Sequence, residues 1–313
     1  MTVDYFSYSG LFVTHLVFPD GRTRMNLIGG AGAEAVAGMR IWSDSVGLVA
    51  YVASDFPAAY RRFLADECRV DLTGLVAAPY ERLQMWLLYD DDQSRVEVMR
   101  GLQDWARTQV PVSHVPVDYH RARGVHTGGP DQEQLAFLRR LKADHGTALC
   151  VESLDRLWNG RDTMPPPDLL AGVDIFSPDL AYAARLARVA DPVACLDALQ
   201  PVGADVLALR MGARGSLVRD CHTGETWHVP VVPTDVVDVT GAGNAYSGGY
   251  LIGWAETGDP VRAGCYGAVS ASFLIEQFGL PRLDTATRSV ATARLEQLWR
   301  VVEPLPSRAR GGS

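Results

Sequence analysis

The sequence predicts an α/β fold: a three-layer α/β/α sandwich with a mostly parallel central sheet and a small β-ribbon lid. Three observations carry that expectation. From Gly124 onward, short apolar runs at Ala148 to Glu152, Asp174 to Ser177, Val206 to Leu209 and Ser216 to Val218 alternate with helical segments. Strands separated by helices pair in parallel, because the chain crosses one face of the sheet between them. Earlier in the chain, two pairs of extended runs each flank a turn, the pattern of a β-ribbon. Finally, 313 residues of which 47% are hydrophobic can bury a large core.

Taken in order, Asp4 to Ser9 is a short apolar run that reaches Gly10 and reads as the first strand. Leu11 to Phe18 and Thr23 to Ile28 flank Pro19-Asp20-Gly21-Arg22, two extended runs around a Gly-containing turn. Gly29-Gly30-Ala31-Gly32 ends that ribbon, and Ala33 to Trp42, rich in Ala, Met and Val, reads as the helix it opens. Ser45 to Ala53 is a further buried strand. A second ribbon is expected where Leu83 to Tyr89 and Val96 to Met99 flank Asp90-Asp91-Asp92-Gln93-Ser94. The three aspartates read as a solvated turn rather than a metal site, because adjacent side chains on extended backbone point to opposite faces. Pro165-Pro166-Pro167 marks a stiff loop before the next helix. With no Gly/Ser linker and no fixed-period repeat, residues 1–305 read as a single domain. Its lid ribbons fall at about residues 11–28 and 83–100, and the Arg- and Gly-rich residues 306–313 form a frayed tail.

A net charge of −8 gives no broad basic surface, so neither nucleic acid nor an anionic membrane is expected as partner. Cys68, Cys150, Cys195, Cys221 and Cys265 are scattered without a Cys-x-x-Cys pair and read as reduced thiols. The N-terminus lacks the pattern of a secretory signal, and no apolar run reaches the roughly 18 to 20 residues of a membrane helix. A soluble cytoplasmic protein with a small-molecule substrate is the expectation.

The most informative segment runs from Val236 to Tyr250: a strand end, a Gly turn and a small-residue helix. Glycines at such a turn let backbone N–H groups converge on an oxyanion, and the positive end of the helix dipole adds attraction. The bland alternative is a tight strand-to-helix turn with close packing through Gly248 and Gly249.

Within that segment, Asp238-Val239-Thr240-Gly241-Ala242-Gly243-Asn244 resembles the signature of the ribokinase, or phosphofructokinase-B, family of carbohydrate and nucleoside kinases. Gly29 to Ala33 resembles the family's double-glycine motif, Ser177-Pro178-Asp179 its nucleotide-side strand end, and Leu209 to Gly215 its Gly-x-x-Gly turn. The resemblance implies a ribokinase-like sandwich that uses ATP with magnesium, accompanied by a monovalent cation such as potassium. It implies a catalytic turn at Gly241, Ala242, Gly243 and Asn244. The nucleotide side falls on Asp179, Arg210, Gly212, Gly215, Asp238 and Thr240, with Asp179 also at the metal. The acceptor side falls on Thr14 or His15, Gly29, Gly30 and Glu34. By analogy, two copies would pair through their lids. A narrower likeness, carried by Gly47 to Pro57 and Ala271 to Pro281, is to the fungal Mak32-like branch, which has Asn at the end of the glycine motif.

Several positions depart from the common pattern. The family's proton-accepting Asp is Asn244, and an amide cannot act as a carboxylate base at neutral pH. The Asn late in the double-glycine motif is Glu34, and the Asp that holds acceptor hydroxyls falls at Thr14 or His15. The Asn-x-x-Glu pair reads Asp179-Leu180-Ala181-Tyr182. His15 and Glu34 would offer an imidazole and a carboxylate if they met across the pocket; otherwise they are a lid histidine and a helix-start glutamate. Gly30-Ala31-Gly32-Ala33-Glu34-Ala35 satisfies a dinucleotide-binding pattern, but a hairpin before it is wrong for the first βαβ unit. Three uses of one scaffold follow. The first is an ATP-dependent kinase for a sugar- or nucleoside-like hydroxyl. The second is a repurposed hydrolase, lyase or group transferase acting on an anionic ligand, and the third a non-catalytic pseudokinase.

Overall fold

The computed structural model describes residues 3–91, 95–100, 108–158 and 164–306. Asp92, Gln93 and Ser94 of the acidic turn and residues 307–313 of the tail lie outside them. The first half of the chain forms β1 (Tyr5–Tyr8), β2 (Phe12–Val17), β3 (Thr23–Gly29), α1 (Ala31–Arg40), β4 (Val46–Val52), α2 (Ala58–Arg62), β5 (Leu75–Ala77), β6 (Gln84–Tyr89), β7 (Arg95–Arg100), β8 (Gly124–Thr127), α3 (Gln132–His145) and β9 (Ala148–Val151). The second half forms β10 (Ile175–Phe176), α4 (Leu180–Ala187), α5 (Pro192–Leu199), β11 (Val206–Arg210), β12 (Ser216–Asp220), β13 (Thr226–Val229), α6 (Ala242–Thr257), α7 (Pro260–Ile275), α8 (Thr287–Trp299) and β14 (Glu303–Pro304).

The strands make two sheets. The large one has the order β14-β13-β12-β11-β10-β9-β8-β1-β4-β5, parallel from β11 to β5 and antiparallel from β11 to β14. Alternation along the strands sends side chains to two cores. Cys150, Val206 and Ala208 pack on the side of α1, α6, α7 and α8, whereas Leu149, Val151, Leu207 and Leu209 pack on the side of α3, α4 and α5. The lid is a four-stranded sheet in the order β3-β2-β6-β7, in which the two expected ribbons are joined by a parallel β2–β6 pairing.

Two expectations change. Val206 to Leu209 and Ser216 to Val218 pair antiparallel, because the short turn between β11 and β12 cannot make the crossover that parallel pairing needs. The three prolines lead into a non-helical turn over residues 167–172 and then β10, so no helix separates β9 from β10 among the described residues.

Helix starts are set by aspartates whose carboxylates accept first-turn amides: Asp131 from Gln134, Asp179 from Tyr182 and Asp191 from Ala194, each at 2.8 Å. The contact that matters most for the site is α1 against α6. A Cβ on Gly38 would lie 2.2 Å from the Ala245 carbonyl oxygen, and one on Gly248 would lie 2.2 Å from that of Ala35. The two backbones touch through these reciprocal glycines, which brings the first turns of both helices side by side.

Candidate active site

The site is built at the carboxyl ends of the parallel strands, where α1 and α6 begin. Gly241, the N-cap of α6, has φ of +77°, a left-handed conformation that glycine alone adopts without strain. The turn before it is set by Asp238, whose Oδ1 accepts from the Thr240 amide at 3.0 Å and from Thr240 Oγ1 at 2.7 Å. Thr240 Oγ1 is also 2.7 Å from the hydroxyl of Tyr89 on β6, tying the lid to the turn. No side chain among the described residues caps α6, so the amides of its first turn keep their donor capacity.

Two charged side chains flank this turn. A Cβ on Gly243 would lie 2.1 Å from Arg210 Nη1, and one on Gly241 would lie 2.4 Å from Glu34 Cδ. The glycines of the motif therefore make room first for the protein's own guanidinium and carboxylate. Arg210, at the end of β11, has an Nε with no hydrogen-bond partner among the described residues, and its Nη1 lies 3.8 Å from Glu152 Oε1. His126 Nε2 donates to Glu152 Oε1 at 2.9 Å, and His126 Nδ1 pairs with Ser7 Oγ at 2.8 Å. Burial pushes the Glu152 carboxyl up, but Arg210 and His126 together outweigh it and hold the group below the usual carboxylate range.

Glu34, 7% exposed in the first turn of α1, accepts from Asn244 Nδ2 at 2.5 Å. Burial pushes its carboxyl up to about 7, a rise opposed by the Asn244 hydrogen bond, by Arg95 and by the Gly30 amide, and aided by Glu152. Beside this pair opens a cleft of about 760 Å³ roofed by the lid, whose lining includes Thr14, Gly30, Arg95, Glu152, Gly241 and Asn244.

Of the alternatives Thr14 and His15, only Thr14 faces this cleft. One residue along β2 reverses the face, so His15 lies against Trp86 with ring centroids 4.5 Å apart. Its Nε2 donates to Gln84 Oε1 and its Nδ1 accepts from the Asn26 amide, both at 3.1 Å. The pairing of His15 with Glu34 does not form. Gly29 packs against Thr14 Oγ1, which a Cβ there would meet at 2.3 Å. On the other side of the turn, exposed Asp179 bridges in parallel to Arg210. Gly212 and Gly215 hold the turn after β11.

Glu152 and Arg95 were not singled out from the sequence. A charged residue ending a buried parallel strand was the signal for the first. The second sits at a lid position where its neighbours Val96 and Val98 look like the buried face.

The model of the pfkB family of carbohydrate kinases matches residues 20–285. The chain belongs to that family. It is a phosphotransferase with a ribokinase-like fold. The cytidine kinase of Thermococcus kodakarensis is 29% identical to this PfkB-family chain over 248 residues, covering 77% of this chain and 84% of that protein. Protein MAK32 of Saccharomyces cerevisiae is 35% identical over 88 residues, 26% of this chain and 24% of that one, which supports the narrower kinship on a partial match. The ribokinase of Arabidopsis thaliana, solved with ribose and ATP, superposes with a TM-score of 0.72 at 18% identity, covering 95% of this chain and 99% of that one, a likeness of fold.

Proposed function

We propose that this PfkB-family protein transfers the γ-phosphoryl group of ATP to a hydroxyl of a sugar- or nucleoside-like acceptor held under the lid. One observation carries the reading. The uncapped start of α6, whose Gly241 and Asn244 line the cleft, has the guanidinium of Arg210 beside it at Gly243, and the complement of two such positive features is a phosphate. Gly241, Ala242 and Gly243 supply backbone donors, Asp238 and Thr240 fix the turn, and Thr14, Gly29, Gly30, Glu34 and Asn244 face the acceptor side.

Magnesium is commonly held by substrate phosphates and one or two carboxylates. Asp179 is the carboxylate on the nucleotide edge, although one of its oxygens caps α4. Among the described residues no cluster of three His, Cys, Asp or Glu side chains would hold a metal unaided. When bound, the ion supplies charge neutralisation on the phosphates.

Calorimetric titration with ATP and ADP, with and without magnesium, tests this, followed by a screen for ADP release with cytidine, adenosine and ribose. Magnesium-dependent ATP binding near micromolar and acceptor-dependent ADP release are expected. A folded sample that binds no nucleotide would transfer the reading to an enzyme of other chemistry on an anionic ligand, or to a non-catalytic scaffold.

We infer in addition that two copies pair through their lids. Val96 and Val98 are 57% and 45% exposed on the lid face turned away from the cleft, next to exposed Leu88. Apolar residues grouped on one face mark a contact surface. Sedimentation equilibrium should give a dimer at micromolar concentration and a monomer for the V96K/V98K double variant; a monomeric wild type rules the pairing out.

A further inference from the structure

We propose that Glu34 is the general base of the transfer, taking the acceptor hydroxyl's proton while Asn244 holds its carboxylate in place. The inference rests on the kinase reading given above. In the step, the acceptor O–H proton passes to a Glu34 oxygen and the acceptor oxygen forms a bond to the γ-phosphorus. The bond from that phosphorus to the β,γ-bridging oxygen breaks, and ADP leaves with the electron pair.

Geometry selects Glu34 among the carboxylates lining the cleft. Glu152 is bound to His126 and faces Arg210, Glu97 is paired with Arg95 at 3.0 Å, Asp131 caps α3, and Asp155 lies 3.6 Å from Arg185. Each is already committed to a cation, an imidazole or a helix start, and for Glu152 those partners hold the carboxyl below the usual carboxylate range. Glu34 is instead buried against the Gly241 backbone, with an amide as its side-chain partner. The groups facing it are Arg95 from β7, Glu152 from the end of β9, Asp238 before α6, Asn244 on α6 and the Gly30 amide. Its carboxyl, raised to about 7, has the proton affinity a base needs near neutral pH. Relative to the family pattern, amide and carboxylate have exchanged places: position 244 carries the amide and position 34 the acid.

That exchange can be reversed. In acceptor-dependent ADP release at pH 8, E34Q should lower kcat by about 10²- to 10⁴-fold, with ATP affinity retained. The wild-type rate should rise tenfold per pH unit below about 7 and level off above it, a limb that E34Q lacks. The E34Q/N244D double variant, which restores one acid and one amide, should recover at least about tenfold over E34Q. Independently of turnover, carboxyl ¹³C NMR of the ligand-free protein should show a group titrating near 7 that disappears in E34Q. Active wild type with an E34Q variant that keeps its rate and its pH limb overturns the assignment while leaving the kinase reading intact. ATP binding without ADP release in the whole acceptor screen overturns both.

Discussion

Gly243→Val is expected to weaken ATP binding by at least about a hundredfold while leaving the protein folded. A side chain at this position begins 2.1 Å from Arg210 Nη1. The obstacle is the far end of a flexible side chain, so the guanidinium moves and the helix stays. Moving it strips the positive charge from the start of α6 and removes the largest of the charges that keep Glu152 ionised. Two charge-assisted hydrogen bonds to a phosphate contribute about 3 kcal/mol or more together, and each 1.4 kcal/mol is about tenfold in affinity. Calorimetry with ATP, alongside thermal melting, checks this. Arg210→Ala should reproduce the loss without any steric change. If Gly243→Val binds ATP like the wild type, the phosphate does not lie against this turn.

Gly248→Leu acts on the scaffold and should destabilise the protein by about 3 kcal/mol or more, at the upper end of overpacking effects. Replacing glycine within a helix gains up to about 1 kcal/mol of propensity, which works in the opposite direction. Here the first added carbon would lie 2.2 Å from the Ala35 carbonyl oxygen, a backbone atom that cannot turn aside. The helices must separate, and the clash outweighs the propensity. The urea midpoint should fall at unchanged slope, and surviving folded protein should lose activity because α1 carries Glu34 and α6 carries Asn244. An unchanged midpoint means that the helices are not in backbone contact at this glycine.

The parts of the fold legible in the sequence were those written in local chemistry. Pro19-Asp20-Gly21-Arg22 sets a hairpin because Gly21 accepts φ of +82°, and the Gly241 turn opens a helix for the same reason. What sequence could not give was the side on which the interior lies. On β7 alternation separates Val96 and Val98 from Arg95 and Glu97, yet the charged pair faces inward, because the space beneath the lid is an open cleft that they share with other charged residues such as Glu34 and Glu152. The choice between Thr14 and His15 turned on the same single-residue reversal. The antiparallel β11–β12 pair needed only a count of the residues between two apolar runs. Asn244 and Glu34 each depart from the family pattern in the sequence; that they are one hydrogen-bonded pair depends on helix packing, which no local window contains.

The two members of that pair are 210 positions apart in the chain. Closing so long a loop is slow relative to local structure, and contacts of this separation reward the chain only after the entropy of closure has been met. During synthesis the glycine turn and lid of the acceptor side leave the ribosome long before α6 exists. Until that helix arrives, the backbone of α1 at Ala35 and Gly38 stays exposed, a small-residue groove with no partner. The cleft can be completed only once α6 is in place, and a chain interrupted before it lacks the first-turn amides on which the proposed phosphate site depends.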